Sequence, residues 1–284
     1  MISFKLYREY GALNSVPVFD AFQQGILNTG NSIVDSNQDV SVIWSVLWNG
    51  RMKDNQLIYQ QCRQLNKPIL IIEVGNLLRG QTWRVGLNHI NSRGFFANHN
   101  DIDINRPAKL GVSLHNPSQR RKPEILIAGQ HELSLQWENN PPIQQWAETL
   151  VREIRTYTDR PIVFRPHPRS KAVGTLIKGT VQDKPIKLIN TYDNFNIDYN
   201  YHAVINFNSG PAIQSAIHGT PIICDSSSLA FPVSDQLQHI EHPTLLDRTE
   251  WFLKLCHTEW TVDEISKGIP LARLLPEIQN QLKG

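Results

Sequence analysis

The chain has 284 residues, 40% of them hydrophobic and 19% charged, with a formal net charge of +2. That is the make-up of a soluble globular protein with room for two domains. No apolar run approaches a membrane span, the start MISFKLYREYGA lacks a secretion-signal pattern, and three cysteines (Cys62, Cys224, Cys256) in no metal-type spacing argue against a disulfide framework. The cysteines read as reduced core thiols of a cytoplasmic protein. The mild positive charge leaves polyphosphate or DNA ligands open, provided the cations gather in one place.

In chain order, the first 120 residues read as a helix over 16–30, a strand over 39–48, a helix over 55–66 and a strand over 67–76. A glycine- and asparagine-rich stretch follows at 73–94, too polar for core and too long for a simple turn. Residues 104–123, rich in Pro, Ser, Asn and charge, read as a linker. Beyond it come a strand at 123–130 and a helix at 142–158, whose Ile143, Trp146, Leu150, Val151 and Ile154 share one face. Strands follow at 160–166, 184–190 and 201–208. A helix over 209–219 closes on Gly219, ahead of a strand at 220–225 and a helix at 243–256. Strands alternating with helices predict parallel sheets covered on both faces. No internal repeat or low-complexity tract interrupts them.

In an open parallel sheet, ligands gather where strand carboxyl ends meet the following helix amino ends. The run RPIVFRPHPRS (160–170) ends a strand in Arg165, His167 and Arg169. Arginine offers a planar fork to phosphate oxygens, histidine adds a donor, and Pro166 and Pro168 stiffen the turn. The competing reading is a solvated loop. A second cluster, INFNSGPAIQSAIHGTPIICD (205–225), places Asn208, Ser209 and Gly210 at a helix amino terminus, with Pro211 in the first turn. Alone it is an ordinary helix cap. Beside the first cluster it forms the other half of a phosphate cradle.

RPHP followed by NSGPAIQSAIHGTPIICD resembles the carboxy-terminal half of GT-B glycosyltransferases, most closely the capsule-type and sialyltransferase-like branch, over residues 123–256. The resemblance implies that His167 and Ser209 lie at the phosphate of a nucleotide-sugar donor, UDP-sugars among the candidates. That donor is a substrate, and no cofactor is implied. The chain has no GxGxxG and no GxxxxGK[ST], which argues against a dinucleotide oxidoreductase or a P-loop kinase. EVGNLLRG and VGLNHINSRG are similar to segments of phage-encoded glycosyltransferase-like proteins. That likeness implies a DNA acceptor carrying hydroxymethylated pyrimidines, modified in the host cytoplasm. Arg79, Arg84, Arg93, Arg120 and Arg121 would then contact its backbone; otherwise they are ordinary solvated arginines. A surface polysaccharide or lipid-linked glycan is the alternative acceptor, and a non-catalytic nucleotide- or nucleic-acid-binding protein the alternative class.

Transfer to a hydroxyl needs a base and counter-charge for the leaving phosphate. Glu73, ending the apolar strand KPILIIE, is the expected base; the competing reading is a structural glutamate holding Arg79 or capping a loop. Asp20, Asp54, Asp101, Asp103 and His89 are rivals. Asp225 is expected to hold the donor or a neighbouring helix, and the polar loop 226–235 to close over the donor. Asp101 and Asp103 form the one DxD, away from any sheet switch point, so transfer is expected to need no metal. The expected architecture is α/β, two Rossmann-like domains with parallel sheets in the GT-B manner and a cleft between them. Residues 1–115 would hold the acceptor and 120–260 the nucleotide sugar, with 261–284 a helix packing across both.

Overall fold

Short apolar runs bounded by glycine, proline or asparagine set most of the strands. The structure, a computed structural model, describes residues 1–99, 101–118, 120–170, 174, 176–183 and 198–284. Its elements begin with β1 (Ser3–Leu6), α1 (Val16–Asn28), β2 (Ser32–Ile33), β3 (Val40–Trp44), α2 (Asn55–Gln64), β4 (Ile69–Val74) and β5 (Thr82–Leu87). Next come α3 (Arg106–Leu110), β6 (Ile125–Ala128), α4 (Ile143–Ile154), β7 (Ile162–Arg165) and β8 (Val181–Gln182). Then follow β9 (Ala203–Asn206), α5 (Gly210–Ile217), β10 (Ile222–Cys224) and α6 (Thr249–Cys256). The chain closes with β11 (Glu259–Thr261), α7 (Val262–Ser266) and α8 (Ile269–Gln281). Among the described residues no helix is long and apolar enough to cross a membrane.

Two units divide the chain: Met1–Arg106 with Lys254–Gly284, and Pro107–Leu253. These bounds differ from the expected 115 and 260, and the returning segment 254–284 belongs to the first unit. Arg106 accounts for the early break. Its guanidinium donates to the Cys256 and Glu259 carbonyls, pairs with Glu264 and lies 4.1 Å over the Trp260 ring. The end of the first segment is thereby tied to the returning one.

The first unit holds a six-stranded sheet in the order β11-β5-β4-β3-β1-β2. From β4 to β2 it is parallel, while β5 and β11 are antiparallel additions. The parallel order reverses direction between β1 and β3, which makes that the switch point. The stretch 73–94 corrects the expectation that it is too polar for core: all six residues of β5 are buried. β3 stops at Trp44, short of the expected 48, because Ser45 takes a left-handed φ of 64° that a strand does not accommodate.

The second unit holds a wholly parallel sheet, β10-β9-β6-β7-β8, with its switch point between β6 and β9. Its central strands β6 and β9 are buried along their whole length, hence their apolar runs. α4 presents Ile143, Ala147, Val151 and Ile154 to a core containing Ile125, Ile127, Phe164 and Ile205, with Trp146 and Leu150 packed at the margin. α5 ends where Gly219 takes φ 78°, as a glycine after a helix does. Of the expected helix over 243–256, only Thr249–Cys256 is helical. The expected strand at 184–190 lies outside the described residues.

Candidate functional site

The carboxyl ends of β6, β7 and β9 bring the two sequence clusters of the second unit to one edge. Asn206, the last residue of β9, donates through Nδ2 to the Ala128 carbonyl at the end of β6, 2.8 Å away. Its Oδ1 accepts the Ser209 amide at 2.8 Å, and its Nδ2 also reaches the Ser209 hydroxyl at 3.0 Å. Ser209 precedes α5 but caps none of its amides with its side chain. The amides of Gly210 and Ala212 therefore open this edge with no protein acceptor among the described residues, in the manner of a helix end that receives an anion.

Asn208 and Asp225, expected at the donor, are used by the protein itself. Asn208 is 5% exposed. Its Oδ1 accepts from Gln130 Nε2 at 2.8 Å, and its Nδ2 donates to Ser227 Oγ at 2.8 Å and to the Gln136 carbonyl at 3.1 Å. Asp225 in turn accepts the Ser227 amide and hydroxyl. Both amide protons and the carbonyl oxygen of Asn208 are engaged, and the chain Gln130–Asn208–Ser227–Asp225 ties together the segments that follow β6, β9 and β10. The loop 226–235 is likewise no free flap. Ser227, Ser228, Ala230 and Val233 are buried, and Trp251 Nε1 holds the Leu229 carbonyl at 2.8 Å.

The cations after β7 fall into two kinds. Arg165 is anchored: Nε donates to Asp183 at 2.7 Å, and Nη2 to the Asp198 carbonyl and the Tyr201 hydroxyl. Its Nη1 meets no acceptor among the described residues. Arg169 is exposed, and His167 half-buried, its Nδ1 accepting the Arg169 amide at 3.2 Å. A residue missed in sequence joins them. His131, just after β6, meets His167 edge-on with ring centroids 5.3 Å apart. Its Nδ1 accepts the Leu133 amide, which leaves the proton of the neutral ring on Nε2. Burial pushes its pKa down, the Arg169 charge adds to the effect, and Glu132 opposes it. The strand-end rule that singled out RPHP applies equally to the AGQHE after β6.

In the first unit, Glu73 lies half-buried near the carboxyl end of β4. Its Oε2 accepts the Ser45 hydroxyl at 2.7 Å and its Oε1 the Val74 amide at 3.0 Å. Among the rivals, Asp20 pairs with Arg8, and Asp54 precedes α2. Asp103 accepts the Asn105 amide ahead of α3, an Asx turn that accounts for its carboxylate, while Asp101 sits in a left-handed turn. His89 is buried, its Nδ1 accepting the Ile90 amide, and burial lowers its pKa to about 4, helped by Arg93 and Arg63. Among the described residues no three His, Cys, Asp or Glu side chains group as metal ligands would.

Of the five arginines assigned to nucleic acid, Arg79, Arg93, Arg120 and Arg121 are exposed. Arg84 corrects the expectation. It is 4% exposed, donates to the Ile90 carbonyl and pairs with the buried Glu259, so no polyanion reaches it.

The sequence matches no family model and no curated protein. Among solved structures, the KpsC β-Kdo 2,7-transferase of Thermosulfurimonas dismutans is similar with a TM-score of 0.51 at 12% identity, covering 97% of this chain and 100% of that one. The KpsC β-Kdo 2,4-transferase of the same organism gives 0.49 at 13% identity, over 99% and 98% of the two chains. At such identity the likeness is one of fold: the chain has the α/β architecture of GT-B enzymes, with two Rossmann-like units.

Proposed function

We propose that the chain is a nucleotide-sugar-dependent glycosyltransferase in which the second unit binds the donor. The observation that carries this reading is the shared carboxyl edge of the neighbouring strands β9, β6 and β7, after which come the uncapped start of α5, His131 in ring contact with His167, and the exposed Arg169. A helix amino terminus with an arginine beside it stabilises the charge that develops on a leaving phosphate. Asn208 and Asp225 act on this edge indirectly, by fixing the backbone from which α5 starts. Glu73, on the first unit, takes the acceptor proton, and the counter-charge of α5 and the cations lets transfer proceed without a divalent ion.

For the acceptor we favour a hydroxyl of a surface polysaccharide or lipid-linked glycan. The GT-B fold shared with a Kdo transferase supports this choice by analogy. Burial of Arg84 also removes one of the five cations on which a DNA surface was built. DNA carrying hydroxymethylated pyrimidines is the second reading, favoured by the exposure of Arg79, Arg93, Arg120 and Arg121. Its base must leave the duplex stack to react, and its binding weakens steeply with salt.

The test incubates the full chain with CMP-Kdo, UDP-glucose, UDP-N-acetylglucosamine and GDP-mannose, each with an oligosaccharide acceptor or hydroxymethylcytosine DNA, followed by mass spectrometry. A sugar mass gained by the glycan, in EDTA as well as without it, is the expected result. Gain on the nucleoside alone selects the DNA reading. Turnover restored only by Mg²⁺ or Mn²⁺ rejects metal independence, and no donor consumed in any arm rejects the transferase.

A further inference from the structure

Ser45 borders the first unit's switch point, and its backbone departs from what the sheet requires. It follows β3 directly, is 4% exposed and holds φ at 64° between the buried Trp44 and Val46. In that left-handed region glycine is the unstrained choice, and asparagine is tolerated better than serine. Strain of this kind persists only where the surroundings hold it, and the bonds around Ser45 show what holds it here. Its amide donates to the Ile72 carbonyl at 2.7 Å, an extension of the β3–β4 ladder. Its hydroxyl accepts the Leu47 amide at 3.2 Å and donates to Glu73 Oε2 at 2.7 Å.

A hydroxyl has one proton to give. The Leu47 amide occupies a lone pair and leaves that proton directed at the carboxylate. Glu73 Oε1 is meanwhile held by the Val74 amide at 3.0 Å, so the carboxylate is gripped at both oxygens. One grip comes from its own strand and the other from the neighbouring strand. Ser45 is buried and Glu73 half-exposed, so the serine can act only through the glutamate.

We propose that Ser45 is a positioning residue for Glu73: its left-handed turn aims the hydroxyl across from β3 to β4 and locks the carboxylate in the orientation from which it takes the acceptor proton. The inference rests on the glycosyltransferase reading with Glu73 as base. A base must lie in line with the proton it removes, and small losses of orientation cost large factors in rate.

Three variants of the full chain test it: Ser45→Gly, which removes the hydroxyl and relieves the φ strain; Ser45→Ala, which removes the hydroxyl and keeps the strain; and Glu73→Gln. Rates are read with the donor and acceptor that turn over in the mass-spectrometric screen, and the Glu73 side chain is read in crystal structures of wild type and Ser45→Gly. Ser45→Gly is expected to keep the wild-type melting temperature while kcat falls about tenfold to a hundredfold. Donor KM should stay within about twofold, and Glu73 should occupy more than one orientation. Ser45→Ala should share the kcat loss and melt lower. A Ser45→Gly enzyme with wild-type kcat and a single Glu73 orientation overturns the proposal. Glu73→Gln at wild-type rate is a separate failure: it removes Glu73 from the reaction, and the role of Ser45 with it.

Discussion

Arg84 and Glu259 face each other across β5 and β11 as register partners, with Nη2 and Oε1 3.0 Å apart and both side chains buried. Glu259 also accepts the Asn76 and Leu77 amides and the Thr82 hydroxyl. One carboxylate therefore fastens the turn after β4, the start of β5 and the returning chain. Removing one partner strands a buried charge, at a cost of about 3–5 kcal/mol. Urea denaturation of Glu259→Ala should show a loss of that size, and the double change with Arg84→Leu should recover part of it. A single variant within about 1 kcal/mol of wild type, the range of a surface pair, would contradict this role.

Gly75 belongs to the same knot. A Cβ there would sit 2.4 Å from Glu259 Oε2 and 2.5 Å from both the carbonyl and the hydroxyl of Thr82. Gly75→Ala is expected to lower stability by about 1–3 kcal/mol, the scale of core overpacking. A melting temperature equal to wild type would show that the turn after β4 yields freely.

His89 predicts acid sensitivity. Its folded pKa of about 4 lies below its ordinary 6.5 because burial disfavours the charged ring. Between those values the unfolded chain binds the proton and the folded chain does not. Stability contributed by the neutral ring is therefore complete above pH 6.5 and is lost as pH falls towards 4, by about 3 kcal/mol in all. His89→Asn keeps an acceptor for the Ile90 amide and has nothing to titrate. Its stability should fall less between pH 7 and pH 4.5 than that of wild type; equal slopes would remove His89 as the source.

Asn208 separates a structural part from a binding part in the second unit. Three partners fill its buried amide, so Asn208→Ala leaves Gln130 and Ser227 short of theirs, at about 1–3 kcal/mol. The expected outcome is a lower denaturation midpoint. Undiminished stability with lost nucleotide affinity would return Asn208 to the role of direct ligand.

The parallel strands β6, β7, β9 and β10 of the second unit were legible from short apolar runs such as ILIA and AVI, which burial produces, whereas β8 was not. The helical face of α4 was legible from its spacing. β5 was not: Thr82-Trp83-Arg84-Val85-Gly86-Leu87 reads as a polar loop until Glu259, 175 positions beyond Arg84, neutralises the arginine. Ser45 hid for the opposite reason, since SVIWSVLW continues the apolar pattern through the residue that ends the strand. Asn208 and Asp225 show in sequence only as polar residues after strands, which have the same appearance whether the protein or a ligand uses them. His131 lay in the open, three residues past the end of β6, and its ring contact with His167 marks it.

Calorimetric titration of the full chain with UDP, CMP and GDP tests the central claim most directly, because it asks whether the β6–β9 edge holds a nucleotide before any acceptor is known. One site for at least one of the three is the expected result. Affinity should fall about tenfold or more, or about 1.4 kcal/mol, in Arg169→Ala and in His167→Ala. The melting temperature of Arg169→Ala should be that of wild type, since that side chain is exposed. A wild-type chain that binds none of the three, or variants that bind as tightly as wild type, would contradict it.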